Sequence, residues 1–534
     1  MTKSCIKRII YMLLTTALML IDWTRGSQVG STWAWTVNMM GVVIALMLIT
    51  ADGIKEFCKV KYLIISLISV CMLPAGYYWW TLNQQLIYRD KLLSAICNVW
   101  FLGICLIRLL EKEFQKGIYR KRPKMLVLLA DLLFLIMYIS VNEDIWPIWF
   151  FVIFTIVYSW RFNTEEKRLI INGLIDGIIV SFFILQGMAF VFRPFDTEHK
   201  RYCGIYSNPN MNALFYCIVL LAFAIRLFQL RKNGKPLYQR IICFLFMAST
   251  AAFATMTVSK TAWIAIILCV LLYIMVVDFR ILQKKAKWVL SRIALYVLVM
   301  ALSLPIVYLP IRYLPPVFHH PIWYEGEYAE WKVHSWDPWN SDKYVSFGEV
   351  MGAVSGRLRP IAEKLFSEKT VSMGKAYAEE IRDVNGIHVG PYFFAFDDED
   401  TLKYSSYLGR AATWYYYFFN GDLLGHSNSE GHYTGMGATY NWHAQNVFLQ
   451  IWYYYGIPAG ILFLVVSIGA WITSVRRAWK AEIQHTDEAV VVALYLTLFL
   501  TFGLFEAVWY PGQMILTLAV FSPKLMLEEE TMLK

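Results

Sequence analysis

Residues Ser405–Gly460 read SSYLGRAATWYYYFFNGDLLGHSNSEGHYTGMGATYNWHAQNVFLQIWYYYGIPAG. The first part interleaves glycine, asparagine, serine and histidine with aromatics, a composition that tolerates water. The end, Val447–Leu464, is an apolar run that suits a bilayer or a large core. Between them stand Arg410 and His443, a fixed cation and a titratable base. The stretch reads as the point where a hydrophilic segment meets a membrane surface.

The rest of the chain supplies the membrane. Its 534 residues are 58% hydrophobic and only 16% charged, against about 25% charged in soluble proteins. Apolar runs of about 18 residues or more recur along most of the chain, the mark of transmembrane helices. Candidate spans are 8–22, 29–50, 60–80, 92–110, 124–140, 145–160, 169–192, 210–230, 240–257, 261–278, 289–311, 445–473, 488–507 and 509–526. The fifth, sixth and last are short, so the expected fold is an all-α polytopic membrane protein with about 12–14 transmembrane helices. It divides into N-terminal helices (1–192), helices with polar external turns (193–311), one large external loop containing short helices (312–442) and C-terminal helices (443–534).

The net charge of +10 does not imply nucleic acid, because lysine and arginine gather in cytoplasmic loops of membrane proteins. Lys3, Lys7 and Arg8, GIYRKRPK after Glu113, RKNGK at 231–235, QKKAK at 283–287 and RRAWK at 476–480 alternate with short, cation-poor connections: WTRGS, VNEDIW and FEAVWY. This pattern puts both termini in the cytoplasm. The N-terminal run MTKSCIKRIIYMLLTTALMLI lacks a small-residue cleavage site and reads as a first membrane helix. All nine cysteines precede residue 270, with no CxxC pair and none in the long loop, which argues against a disulfide framework.

Four stretches then fall outside: 193–210, 257–260, 312–442 and the turn near Glu506. The long loop far exceeds ordinary connections, and helices are expected near 348–367 and 404–420. In GIYSNPN (204–210), Asn208 and Asn210 flank a proline and suit a helix start; Arg201 just before it is a phosphate ligand or an interfacial arginine. Lys260 in TVSKTAW reads locally as a snorkelling lysine in a tight turn. In GRAATW (409–414), Arg410 either uses its planar fork to bind phosphate oxygens in pairs or meets lipid headgroups from an interfacial amphipathic helix. In WHAQN (442–446), His443 is either a base of the kind that titrates near neutrality or a polar interfacial histidine capping the helix, and Asn446 is expected one turn later on the same helical face. Asp131 and Asp176 lie inside apolar runs with no cationic partner evident in sequence. DDED (397–400) and Arg357 and Arg359 read as solvated.

Arg201, Lys260, Arg410 and His443 come from separate segments yet share one face under this topology. Cations around one base at a membrane surface suit an anionic lipid such as a polyprenyl diphosphate, with the histidine deprotonating an incoming sugar hydroxyl.

The ordered set of Arg201 with GIYSNPN, SKTAW, GR-x-x-x-W at 409–414, LLG at 423–425, and HAQN followed by YYGIPAG resembles the O-antigen ligase-like superfamily over residues 200–475. The resemblance implies a metal-independent, inverting glycosyltransferase of the bacterial plasma membrane, without cofactors and with an extracytoplasmic active site. The donor would be an undecaprenyl-diphosphate-linked glycan and the acceptor a lipid-linked or lipid A-core glycan. His443 and Arg410 would be catalytic, Arg201, Arg410 and Lys260 would bind the diphosphate, and Asn208, Asn210, Asn446 and Trp414 would support them. Two departures stand out: Lys260 occupies a position where arginine is common, and His426 follows LLG where a second glycine is usual. A transporter of lipid-linked glycans is the alternative; it predicts charges deep in several helices and short loops on both sides.

Overall fold

The computed structural model describes residues 2–26, 33–52, short pieces of 59–111, and 125–192, 200–318, 345–366, 386–395, 414–426, 444–480, 486–508 and 512–526, some with gaps of one or two residues. The chain is helical almost throughout these. In order come α1 (Lys3–Gly26), α2 (Trp33–Asp52), α3 (Met125–Ile139), α4 (Trp146–Ser159), α5 (Thr164–Phe192), α6 (Pro209–Lys232), α7 (Leu237–Met256) and α8 (Lys260–Tyr273), which runs on as a π-helical stretch, Ile274–Ile281. Next are α9 (Ala286–Phe318), α10 (Phe347–Phe366), a hairpin of β1 (Gly386–Val389) and β2 (Tyr392–Ala395), α11 (Val447–Tyr454), α12 (Ile457–Lys480), α13 (Thr486–Gly503), α14 (Met514–Phe521) and α15 (Pro523–Met526).

Seven of the described helices are long and apolar enough to cross a bilayer: Lys3–Trp23, Thr164–Val191, Pro209–Lys232, Leu237–Met256, Lys260–Ile281, Ala286–Pro315 and Ile457–Lys480. The protein is a helical membrane protein. The candidate spans 60–80 and 92–110 lie mostly outside the described residues. The expected single span over 445–473 is instead two helices, α11 and α12, broken at Tyr455–Gly456, where Gly456 takes φ +94°. The hairpin, antiparallel with Gly386 opposite Ala395, is an addition to the helical expectation.

α6 is apolar around its whole circumference, and such a helix belongs in the middle of a bundle. It sits there, buried from Asn212 to Gln229 apart from Arg226 and packed by α5, α7, α8 and α13. Asn208 caps its start ahead of Pro209, and Arg231 and Lys232 occupy its last turn, where cations complement the helix dipole.

Polar contacts sort the helix ends into two groups. At one end Lys7 pairs with Glu166 (3.5 Å) and Lys232 with Asp487 (2.8 Å). Arg231 and Arg292 share Asp278 (3.5 and 3.4 Å). Arg280 donates to the Trp479 carbonyl (3.1 Å), and Arg477 to that of Met526. The basic segments near the N-terminus and at 231–235, 283–287 and 476–480 therefore collect together. Near this end Asp176 is held by Arg8 (2.5 Å) and by Arg226. That corrects the reading of Asp176 as isolated: its partners are on α1 and α6, 168 and 50 residues away. Asp131 accepts from Thr155 (3.2 Å).

The opposite end holds 140–146, 200–210, 257–260, 345–349, 421–426, 444–446 and 504–506. Here α10 starts with a capping box. Ser346 N–H donates to the Glu349 carboxylate (2.7 Å), and Glu349 N–H to Ser346 Oγ (3.2 Å). Lys200 pairs with Glu349 (3.2 Å), and Tyr308 Oη donates to the Val345 carbonyl (2.8 Å), which ties α10 to the bundle. The expected helix 348–367 is α10; of the expected helix 404–420, only Trp414 and 417–420 are described, and 417–419 are helical.

Candidate functional site

Asn208 is extended (φ −109°, ψ 124°), and its Oδ1 accepts from Asn210 N–H at 2.8 Å. This fixes where α6 begins and points the Asn210 side chain back along the chain. Arg201 donates through Nε to the Thr257 carbonyl (2.9 Å) and through Nη2 to Asn210 Oδ1 (2.7 Å). Asn210 Nδ2 in turn donates to Glu506 Oε1 (2.8 Å). Tyr202 N–H donates to the Met256 carbonyl (3.0 Å), so residues 200–204 run beside the α7–α8 turn. That turn places Val258 at φ +53° and caps α8 through Ser259, leaving Lys260 exposed on the first helical residue. Arg201 thus holds the turn, at Thr257, that leads into Lys260.

Trp414 Nε1 donates to the Ala444 carbonyl (2.8 Å), and its ring lies 6.4 Å from that of Phe505. Asn446 caps α11, accepting from the N–H groups of Phe448 (2.9 Å) and Leu449 (3.1 Å), while its Nδ2 donates to the Leu504 carbonyl (3.1 Å). Gln450 Oε1 accepts from Ala444 N–H (2.8 Å). The expectation that His443 and Asn446 share one helical face is corrected. The helix starts only at Val447, Asn446 is extended and Gln445 has φ +48°. Arg410 and His443 themselves lie outside the described residues. Their motif neighbours Trp414 and Ala444 touch each other.

Three consecutive residues after α13 join these motifs: Leu504 meets Asn446, Phe505 meets Trp414, and Glu506 meets Asn210. The sequence flagged the turn near Glu506 only as a short external connection. Its single available signal was a carboxylate in a turn otherwise made of apolar and aromatic residues.

A second junction locks the LLG and YYGIPAG motifs. Gly425 (φ +82°) and Gly456 (φ +94°) lie back to back; a Cβ on Gly456 would run into the Leu423 carbonyl, and one on Gly425 into that of Tyr454. Ile457 N–H donates to the Asp422 carbonyl (2.9 Å), and Val141 N–H to that of Leu424 (3.0 Å). Only glycine adopts this geometry without strain. His426 stacks on Tyr453 (3.9 Å between centroids, 3° between planes) with Nδ1 3.0 Å from the Tyr453 carbonyl, which selects the Nδ1–H tautomer. His426, next to Gly425, is thus part of the clasp.

Glu349 beside this end is held below the usual carboxylate range, first by the Ser346 backbone N–H, then by its hydroxyl and by Lys200. Among the described residues no three His, Cys, Asp or Glu side chains gather as a metal site requires. An apolar cavity of ≈330 Å³ lies among α3, α4, α12 and α13, with Phe134, Phe463 and Phe499 on its walls and none of the motif residues.

No family model matches the chain, and neither does any curated protein or solved structure.

Proposed function

We propose that this protein is a membrane glycosyltransferase of O-antigen ligase-like or polysaccharide-polymerase type. It would use an undecaprenyl-diphosphate-linked glycan and transfer it to a sugar hydroxyl of a lipid-linked or lipid A-core glycan. The observation that carries the reading is the meeting of the Arg201, GRAATW and HAQN motifs on Leu504, Phe505 and Glu506, at the end of the bundle away from the basic loops. Positive-inside logic makes that end extracytoplasmic in a bacterial plasma membrane, with both termini inside.

In this reading Arg201, Lys260 and Arg410 bind the diphosphate and stabilise the charge it gains. His443 takes the proton of the acceptor hydroxyl. The hydroxyl oxygen bonds to the anomeric carbon from the face opposite the diphosphate, the carbon–oxygen bond to the diphosphate breaks, and the lipid diphosphate leaves with the electron pair. Asn208, Asn210, Asn446 and Trp414 set the backbone and side chains that carry these groups.

The test replaces the chromosomal gene by His443→Ala or Arg410→Ala variants present at normal membrane levels. Surface glycan is expected to disappear while lipid-linked donor accumulates on the outer leaflet. Donor accumulating on the cytoplasmic leaflet instead would make the protein a transporter, and normal glycan in both variants would end the transferase reading.

A further inference from the structure

Asn210 stands between a group that only donates and a group that only accepts. Arginine has no acceptor atom, and an ionised carboxylate has no proton to give. An isolated asparagine amide rotates by half a turn at little cost, but here one orientation satisfies both neighbours. Oδ1 must face Arg201 (2.7 Å), and Nδ2 must face Glu506 (2.8 Å). Turning the amide over would set NH₂ against guanidinium and oxygen against carboxylate. With Nε tied to the Thr257 carbonyl (2.9 Å), the guanidinium is fixed along one edge and at one terminal nitrogen. We infer that Glu506 is a positioning residue: acting through the Asn210 amide, it holds the Arg201 guanidinium in the plane in which it binds the diphosphate. This rests on the reading of Arg201 as a diphosphate ligand.

The relay makes a prediction that a generic need for negative charge does not, because its polarity can be reversed. Asn210→Asp sets a second carboxylate against Glu506, a repulsion with no proton to bridge it. Adding Glu506→Gln restores the chain in the opposite sense. The glutamine amide donates to one oxygen of the introduced aspartate, and Arg201 donates to the other.

The experiment uses the full-length protein in detergent, as wild type, Asn210→Asp, Glu506→Gln and the double variant. Two quantities are measured: melting temperature, and binding of undecaprenyl diphosphate followed by tryptophan fluorescence. Asn210→Asp is expected to weaken binding about tenfold or more, the scale of one charged hydrogen bond, and the double variant to recover to within about threefold of wild type. Recovery of both quantities supports the relay. Additive losses in the double variant overturn it. If melting temperatures show the recovery but no form, wild type included, binds the diphosphate lipid, the relay stands as a structural coupling and both its assignment to diphosphate positioning and the transferase reading fail. If the wild type binds and the double variant melts normally but does not bind, Glu506 does not act through Asn210.

Discussion

Gly456 shows how much one residue decides. Its φ of +94° lies where an L side chain is strained, and the space a Cβ would need is filled by the Leu423 carbonyl. Gly456→Ala is therefore expected to destabilise by more than ~1 kcal/mol, read as a lowered melting temperature in detergent. Leu464→Ala, on the lipid-facing side of α12 at 37% exposure, serves as the comparison and is expected to move it little. At this scale the sequence carried much of the candidate site. Arg201, Lys260, Asn208, Asn210, Trp414 and Asn446 were each legible because their types are costly or informative at a membrane surface. Their partners were not legible. Asn210 reaches across 296 residues to Glu506, and no local pattern encodes a contact at that separation. Asn446 was read as sharing a helical face with His443, whereas it ends the extended segment and starts the helix; a cap and a first-turn residue have the same composition signal.

At the scale of elements, apolar run length located most helices, since a bilayer demands about 20 such residues whatever their packing. The same signal hid the break between α11 and α12. A bilayer run interrupted by one glycine looks continuous until loop 421–426 is seen to supply the hydrogen-bond partner for Ile457. The capping box of α10 gives a prediction about pH. Because the folded protein depresses the Glu349 pKa, its contribution is present above the unfolded value and is lost as pH falls through the folded one. The start of α10 should stay docked at neutral pH and loosen only below the ordinary glutamate range. Hydrogen exchange over 347–354, corrected for its intrinsic pH dependence, is expected to show that loosening. Glu349→Gln should abolish the pH dependence. Unchanged behaviour in that variant would place the docking elsewhere.

At the scale of the whole molecule, charge pattern and structure agree among the described residues on which loops share an end, because the positive-inside rule reads a property of the chain that needs no tertiary contact. What it did not reveal is that half-buried ions near the basic end are paired. Asp176 sits between Arg8 and Arg226 with its side chain only 21% exposed. Asp176→Asn leaves two cations facing each other, at an expected cost of about 1–2 kcal/mol, less than for a fully buried pair because Arg8 is 43% exposed. Adding Arg8→Gln should return part of that stability, as followed by thermal unfolding in detergent; a lower value still in the double variant would mean that Arg8 has a different role.

The contact between Asn210 and Glu506 has a consequence in time. A ribosome adding about 5–20 residues per second needs roughly 15–60 s to travel from one to the other, whose separation is 296 residues. Throughout that interval α6 can already be in the bilayer while the carboxylate that orients the side chain of its second residue, Asn210, does not yet exist. The contact at the start of α6 is therefore completed only after α13 has been made. A chain whose synthesis stalls before Glu506 lacks the carboxylate that the Asn210 amide donates to, while Arg201 keeps its bond to the Thr257 carbonyl.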